Sequence, residues 1–244
     1  MKLKTFYMIS LGCAKNTVDS DAMTQLLNHE GYRPVENPLD AKVLIVNTCG
    51  FIEAARKESY QVLGEMANLK QKGQLLIAAG CLTQRYGAEV IRRVPGIDGV
   101  LGTRRWMDIV EVVVSLREEA HPRPLCHLPA VDTIGQDTRG AVLAHIQGAS
   151  AYIKIADGCR RACAYCAIPL IKGTSISRPL EDVVQEALYL QKNGVREINL
   201  IAQDTTDYGH DLGIKEGLAK LLEKLALTLP SVDWIRVLYA FPGA

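Results

Sequence analysis

Residues 43–49 read VLIVNTC, a short apolar run, Val43 to Val46, followed by Asn47 and Thr48 and closed by a cysteine. The same arrangement returns as MISLGC over 8–13 and LLIAAGC over 75–81. Short runs of this kind suit strands covered on both faces of a parallel sheet. Between them the spacing turns helical. Val18, Ala22, Leu26 and Leu27 lead to Gly31, and Ala55, Val62, Met66 and Leu69 lead to Gly73, each glycine serving as a helix stop. With strands expected at Phe6 to Leu11, Val43 to Val46, Leu75 to Ala78 and Gly99 to Leu101, residues 1–118 read as a doubly wound parallel-sheet α/β domain. In such a sheet all strands present their carboxyl ends on one edge, where ligands bind. Cys13, Cys49 and Cys81 each lie just past a strand and are therefore expected to converge. A single cysteine there would be ordinary core filler; the same placement three times over argues for a shared site.

Working outward, residues 119–150 change character. HPRPLCHLP (121–129) and VDTIGQDTRG (131–140) carry little periodicity and read as a linker. The βα alternation resumes over 151–244, with strands near Tyr152 to Ile155, Glu197 to Ile201 and Trp234 to Leu238. Helices are expected from Leu180 to Lys192, with Pro179 suited to a first turn, and from Lys215 to Leu227. Three such repeats are the first half of a (β/α) barrel. The sequence stops after a strand, at FPGA, so the barrel is expected to be cut short.

The chain has 244 residues, 48% apolar and 23% charged, the balance of a soluble globular protein rather than a disordered or coiled-coil one. Lys plus Arg number 28 against 27 for Asp plus Glu, a net charge of +1, and no dense basic run exists. That speaks against DNA or RNA as a partner. No apolar stretch reaches the ~20 residues of a membrane span. Lys2 and Lys4 before Phe6-Tyr7-Met8-Ile9, with Cys13 beyond, resemble a lipoprotein leader, but the apolar core is too short and reads as a first strand. Seven cysteines without an export signal point to a reducing, cytoplasmic setting and to thiolate chemistry rather than disulfides.

The second cysteine group is CRRACAYC, Cys159, Cys163 and Cys166, directly after YIKIADG. A structural zinc site wants four closed ligands, and no fourth Cys or His lies near; the next His downstream is His210. Three thiolates instead suit an iron-sulfur cube with one iron left open to a cofactor or substrate. A zinc-binding interaction module remains the competing reading of this loop.

With these residues in view, CRRACAYC after a strand resembles the radical S-adenosylmethionine (SAM) enzymes, and the triplet Cys13, Cys49 and Cys81 ahead of it resembles their methylthiotransferase branch. SLGCAKNTVDS, VNTCGFI, AIPLIKG, SRPLEDV and LIAQDTTDYG resemble the RimO type within it. The resemblance spans the chain apart from 119–150. It implies a 4Fe-4S cluster on Cys159, Cys163 and Cys166 that binds and reductively cleaves SAM, and an auxiliary 4Fe-4S cluster on Cys13, Cys49 and Cys81 that supplies sulfur. A second SAM would donate the methyl group, and an electron donor such as flavodoxin or ferredoxin the electron. The substrate implied is an aspartate of small-subunit ribosomal protein twelve, whose β-hydrogens are too weakly acidic for a side-chain base at neutral pH. Family members continue into further barrel strands and a small β-barrel domain beyond these residues. The alternatives are the same transfer to a tRNA adenosine, or a non-catalytic iron-sulfur electron carrier.

Three further residues are candidate SAM contacts: Tyr165 inside the cysteine loop, and Gln203 and Asp204 at the carboxyl end of a strand, where barrel enzymes place functional groups. The last two could equally cap the βα turn. Arg160, Arg161, Lys172 and Arg178 read as solvated charge, with Arg160 and Arg161 able to attract a reductase or acidic substrate. Cys126 is left over as a free thiol, and His121 and His127 as linker residues.

Overall fold

The computed structural model describes residues 4–118, 124–135 and 140–242. The chain divides into two compact units, one of Met1–Val131 with Gly135–Ala141, the other of Asp132–Ile134 with Val142–Ala244.

In the first unit β1 (Thr5–Ser10), β2 (Arg33–Pro34), β3 (Val43–Thr48), β4 (Leu75–Gly80), β5 (Gly99–Gly102) and β6 (Leu125–His127) form one sheet. Its order is β2-β1-β3-β4-β5-β6, with every pairing parallel. Four helices cover it: α1 (Ala14–His29), α2 (Glu53–Leu69), α3 (Cys81–Arg93) and α4 (Ile109–Glu118). α1 packs with α4 and α2 with α3, so the sheet is wound on both faces. That double cover explains the unbroken apolar run in β3, where Val43, Leu44, Ile45 and Val46 are all buried. The α1 row Val18, Ala22, Leu26 and Leu27 is buried as its spacing predicts. The α2 row is displaced: Ser59, Leu63 and Met66 face inward, whereas Leu69 is exposed.

The stretch read as linker is not without structure. Leu125–His127 adds a sixth strand, placing Cys126 opposite Val100, and His127 Nε2 lies 2.7 Å from an Asp108 oxygen. His127 is therefore aimed by a strand; His121 lies outside the described residues. A three-residue strand is too short to show alternation in sequence, which is why composition alone suggested a connector.

In the second unit β7 (Ala144–Gln147) and β8 (Ser150–Lys154) form an antiparallel hairpin, and β8, β11 (Glu197–Ile201) and β12 (Trp234–Val237) pair in parallel in the order β12-β11-β8-β7. The hairpin turn uses Gly148 at φ +62°, a signal the sequence holds only as a Gly-Ala pair. Helices α6 (Leu180–Lys192) and α7 (Gly217–Thr228) lie together, and Val183, Ala187, Leu190, Leu221 and Leu225 bury against Ile153, Ile198 and Leu200. A separate two-residue ladder joins β9 (Ala156–Asp157) to β10 (Ile176–Ser177), with the short helix α5 (Ile168–Lys172) between them. This ladder brings both ends of the cysteine loop together.

Candidate functional site

The strand order of the first unit reverses direction between β1 and β3: the chain leaves β1 toward β2 on one side and β3 toward β4 on the other. Ligand crevices of open α/β sheets form at such a switch point, beyond the carboxyl ends of the strands. Cys13, Cys49 and Cys81 follow β1, β3 and β4, the strands at and beside that point. The loops are in close contact. A Cβ built on Gly12, whose φ is +95°, would lie 2.7 Å from Cys49 Cβ and 3.0 Å from its Sγ; one built on Gly50 would lie 2.7 Å from Leu82 Cα. Ser59, fully buried on α2, holds Cys49 by both backbone groups, accepting from its N–H at 3.0 Å and donating to its carbonyl at 3.1 Å. Cys81 is buried, Cys49 half-buried and Cys13 exposed. Burial pushes the Cys49 thiol up, and the neighbouring Cys13 adds to the rise. A thiol in that condition stays protonated at neutral pH until a metal takes the proton's place.

In the second unit β9 runs into Gly158, at φ +75°, where a Cβ would fall 2.0 Å from the Thr174 carbonyl oxygen. Only glycine fits both the backbone angle and the space. Gly158→Ala is expected to destabilise this unit by more than about 1 kcal/mol, read as a lower melting temperature, since it adds strain to a steric clash. Beyond it Cys159 donates its N–H to the Gly173 carbonyl at 3.0 Å, and Cys166 N–H to the Cys163 carbonyl at 3.0 Å, so the loop turns on itself and returns to α5. Burial raises the Cys159 thiol; the Arg161 N–H, 3.5 Å from its sulfur, opposes this, and Asp204, Cys166 and Cys163 add to the rise.

Several surrounding residues differ from their sequence readings. Arg160 and Arg161 are each anchored on a buried carboxylate, Arg160 Nε on Asp207 at 2.7 Å and Arg161 Nε on Asp204 at 2.7 Å. Asp204 also accepts from the backbone and hydroxyl of Thr206, capping the turn after β11, which is one of the two readings its sequence position allows. Tyr165 is 88% exposed, with its hydroxyl beside Cys163. Lys172 is not solvated: it is 2% exposed and its ammonium lies 2.8 Å from Asp157, which Lys154 meets at 2.5 Å from the other side. Arg178 pairs with Glu186 at 2.9 Å. Asp157 and Lys154 went unnoticed in the sequence. The available signal is a charged residue, Lys154, between the apolar Ile153 and Ile155 at the end of a strand.

Gln203 donates Nε2 to Asp157 at 3.2 Å, while its Oε1 is buried and, among the described residues, without a hydrogen-bond partner. A buried amide oxygen left open is a natural acceptor for a ligand N–H or O–H. Among the described residues no three Cys, His, Asp or Glu side chains close on a single point as one metal ion requires. A cube gives each thiolate its own iron and so accepts ligands standing further apart. Both triplets, made of thiols alone, fit that donor requirement.

Two family matches cover most of the chain: residues 5–102 match the Uncharacterized protein family UPF0004, and residues 153–240 match the Radical SAM superfamily. Among curated proteins the chain is similar to those named ribosomal protein uS12 methylthiotransferase RimO. It is 43% identical to that of a Roseiflexus species over 97% of this chain and 53% of the relative, and 45% identical to that of Chloroflexus aurantiacus over 97% and 54%. The protein of that name from Myxococcus xanthus is 44% identical over 98% of this chain and 49% of its own length. The chain thus spans about half the length of the curated relatives it matches. Among solved structures it is similar to the radical S-adenosylmethionine methyltransferase TsrM of Kitasatospora setae. The form with cobalamin and a [4Fe-4S] cluster bound gives a TM-score of 0.60 at 15% identity, over 91% of this chain and 50% of that one. The form with tryptophan and a SAM analog bound gives 0.61 at 13%, over the same shares. At that identity the likeness is one of fold.

Proposed function

The chain belongs to the radical SAM methylthiotransferase family, and on that premise we propose that it serves the transfer of a methylthio group to the β-carbon of an aspartate in ribosomal protein uS12. The observation that carries the reading is the grouping of its cysteines. One triplet, Cys13, Cys49 and Cys81, lies at the switch point of a doubly wound sheet, and the other, Cys159, Cys163 and Cys166, in a loop closed by the β9–β10 ladder. One triplet would suffice for an electron carrier or for SAM cleavage alone. A second set of three thiols is what sulfur delivery adds.

When bound, two 4Fe-4S clusters and SAM supply an electron, a sulfur atom and a methyl group, chemistry that no side chain provides. The protein's part is holding and aiming. Cys159, Cys163 and Cys166 would hold one cluster, and Gly158 with Asp157 fixes the base of their loop. Gln203 is oriented by its bond to Asp157, leaving Oε1 to accept from an ammonium or hydroxyl of SAM. Cys13, Cys49 and Cys81 would hold the second cluster, with Ser59 fixing the backbone that carries Cys49. The electron would come from a small donor such as flavodoxin or ferredoxin, and the reducing cytoplasm suits both the thiols and the ribosomal substrate. Among the described residues no helix is long and apolar enough to cross a membrane.

The test is anaerobic incubation of the reduced protein with SAM and either uS12 or tRNA. Release of 5′-deoxyadenosine, with a methylthio group replacing hydrogen in uS12 by mass, is the expected result. The same mass change in tRNA adenosine would move the substrate to RNA. Electron uptake without 5′-deoxyadenosine would make the protein a carrier.

A further inference from the structure

We propose that Asn16 is a positioning residue for the Cys13, Cys49 and Cys81 group, one buried amide that ties the three cysteine-bearing loops to one another; the inference rests on the proposed ligand role of those cysteines and deepens it. Asn16 sits in the first turn of α1 and is 2% exposed. Its Nδ2 donates to the Leu11 carbonyl at 2.9 Å, in the loop that leads into Cys13, and to the Thr48 carbonyl at 3.0 Å, immediately before Cys49. Its Oδ1 lies 3.7 Å from Cys81 Sγ, within reach of the thiol proton. Its own N–H donates to the Cys13 carbonyl at 2.8 Å. One residue therefore touches all three loops.

The chemistry explains why the residue is asparagine. Two donors and an acceptor must diverge from one short, planar group. Aspartate matches the outline but has no donor for the two carbonyls. Serine falls short of them. The backbone that carries the amide is itself held in place: Asn47 on β3 donates to the main-chain carbonyl of Asn16 at 2.9 Å, as does the Ser20 hydroxyl at 3.0 Å. Metal binding takes the proton from each thiol, so the contact with Cys81 changes character on loading. The two Nδ2 bonds do not involve a sulfur and persist. They hold the Cys13 and Cys49 loops at fixed separation before and after loading, which is what a site with three ligands on three different strands needs. Asn16 touches the ligands and no reacting atom, so its role is positional.

Anaerobic reconstitution of the chain with iron and sulfide, followed by iron counting and electron paramagnetic resonance, tests this. The parent is expected to take up about eight irons, two cubes. Asn16→Ala is expected to take up about four, losing the signal that Cys81→Ala also loses and keeping the one lost in Cys163→Ala. A general folding defect would remove both signals and a defect confined to the first unit would lower the helical circular dichroism, so the retained signal and an unchanged dichroism spectrum together are the internal control. Should Asn16→Ala lose its helical circular dichroism, Asn16→Ser carries the same test, since it keeps a small uncharged polar side chain that is too short to reach the two carbonyls. Either folded variant loading about eight irons with the parent's spectrum overturns the positioning role. A parent that itself stops at about four overturns the ligand reading beneath it, and the positioning role with it.

Discussion

Cys163→Ala is expected to reduce 5′-deoxyadenosine formation from SAM to background, whereas Cys49→Ala is expected to leave that cleavage intact and abolish methylthio transfer. The size of the loss follows from ligand arithmetic. Changes to groups that merely support a metal ligand cost about 10–100-fold in affinity or activity. Removing one of only three thiolates costs more, so a fall beyond about 100-fold is expected in each affected step. The separation of the two outcomes follows from the architecture: each triplet belongs to its own unit with its own sheet and buried core. Anaerobic assays that follow nucleoside release and substrate mass side by side read both outcomes in one experiment. Parent-level methylthio transfer by Cys49→Ala would falsify the proposed two-cluster function.

The second large effect concerns Asp157. Its carboxylate is 5% exposed and lies between the ammonium groups of Lys154 and Lys172, each 2% exposed. Burial alone would raise that carboxyl; Lys154 and Lys172 outweigh burial and hold it well below the usual carboxylate range. Asp157→Ala removes the counter-charge the two lysines share. Removing one partner of a buried ion pair costs about 3–5 kcal/mol, because the charge left behind has lost both water and its partner. Urea or thermal unfolding of the second unit should register that loss. The pH dependence has a definite sign. With the folded carboxyl held low, the unfolded chain binds the proton first on acidification. The contribution is therefore complete above the ordinary Asp value of about 4 and declines as pH falls below it. Asp157→Asn, which cannot ionise, should flatten that acid limb while also lowering stability at neutral pH. Because Asp157 precedes the cysteine loop and Lys172 follows it, both variants should also lower iron uptake at Cys159, Cys163 and Cys166.

Much of this was legible before any coordinates. Glu197–Ile201 and Leu180–Lys192 match the expected strand and helix residue for residue, because each is bounded by clear stop signals. The cysteines were legible for a related reason: position after a strand is a statement about topology, and topology follows from periodicity. Contacts that depend on chain reversal were not. Lys172 reads as a solvated cation because nothing local shows that the loop returns it to Asp157, fifteen residues earlier. Asn16 draws no reading of its own from the sequence, since its partners Thr48, the last residue of β3, and Cys81, the first of α3, lie 32 and 65 residues away. On α2 only Met66 of the expected row is buried, because alanine at 55 and leucine at 69 satisfy helical spacing without being buried.

The ladder between β9 and β10 has an effect on how the protein meets oxygen. An untethered segment of this length, stripped of its inorganic core, would let its three sulfurs drift apart and pair with whatever they met. Here both feet of the segment are pinned, by the ladder, by the Cys159 bond to Gly173 and by the Asp157–Lys172 bond, so the entropy of gathering the feet has already been spent. The emptied pocket stays a pocket. On the proposed cluster role of this loop, reloading after exposure to air would then need iron and sulfide but no refolding of the segment's ends.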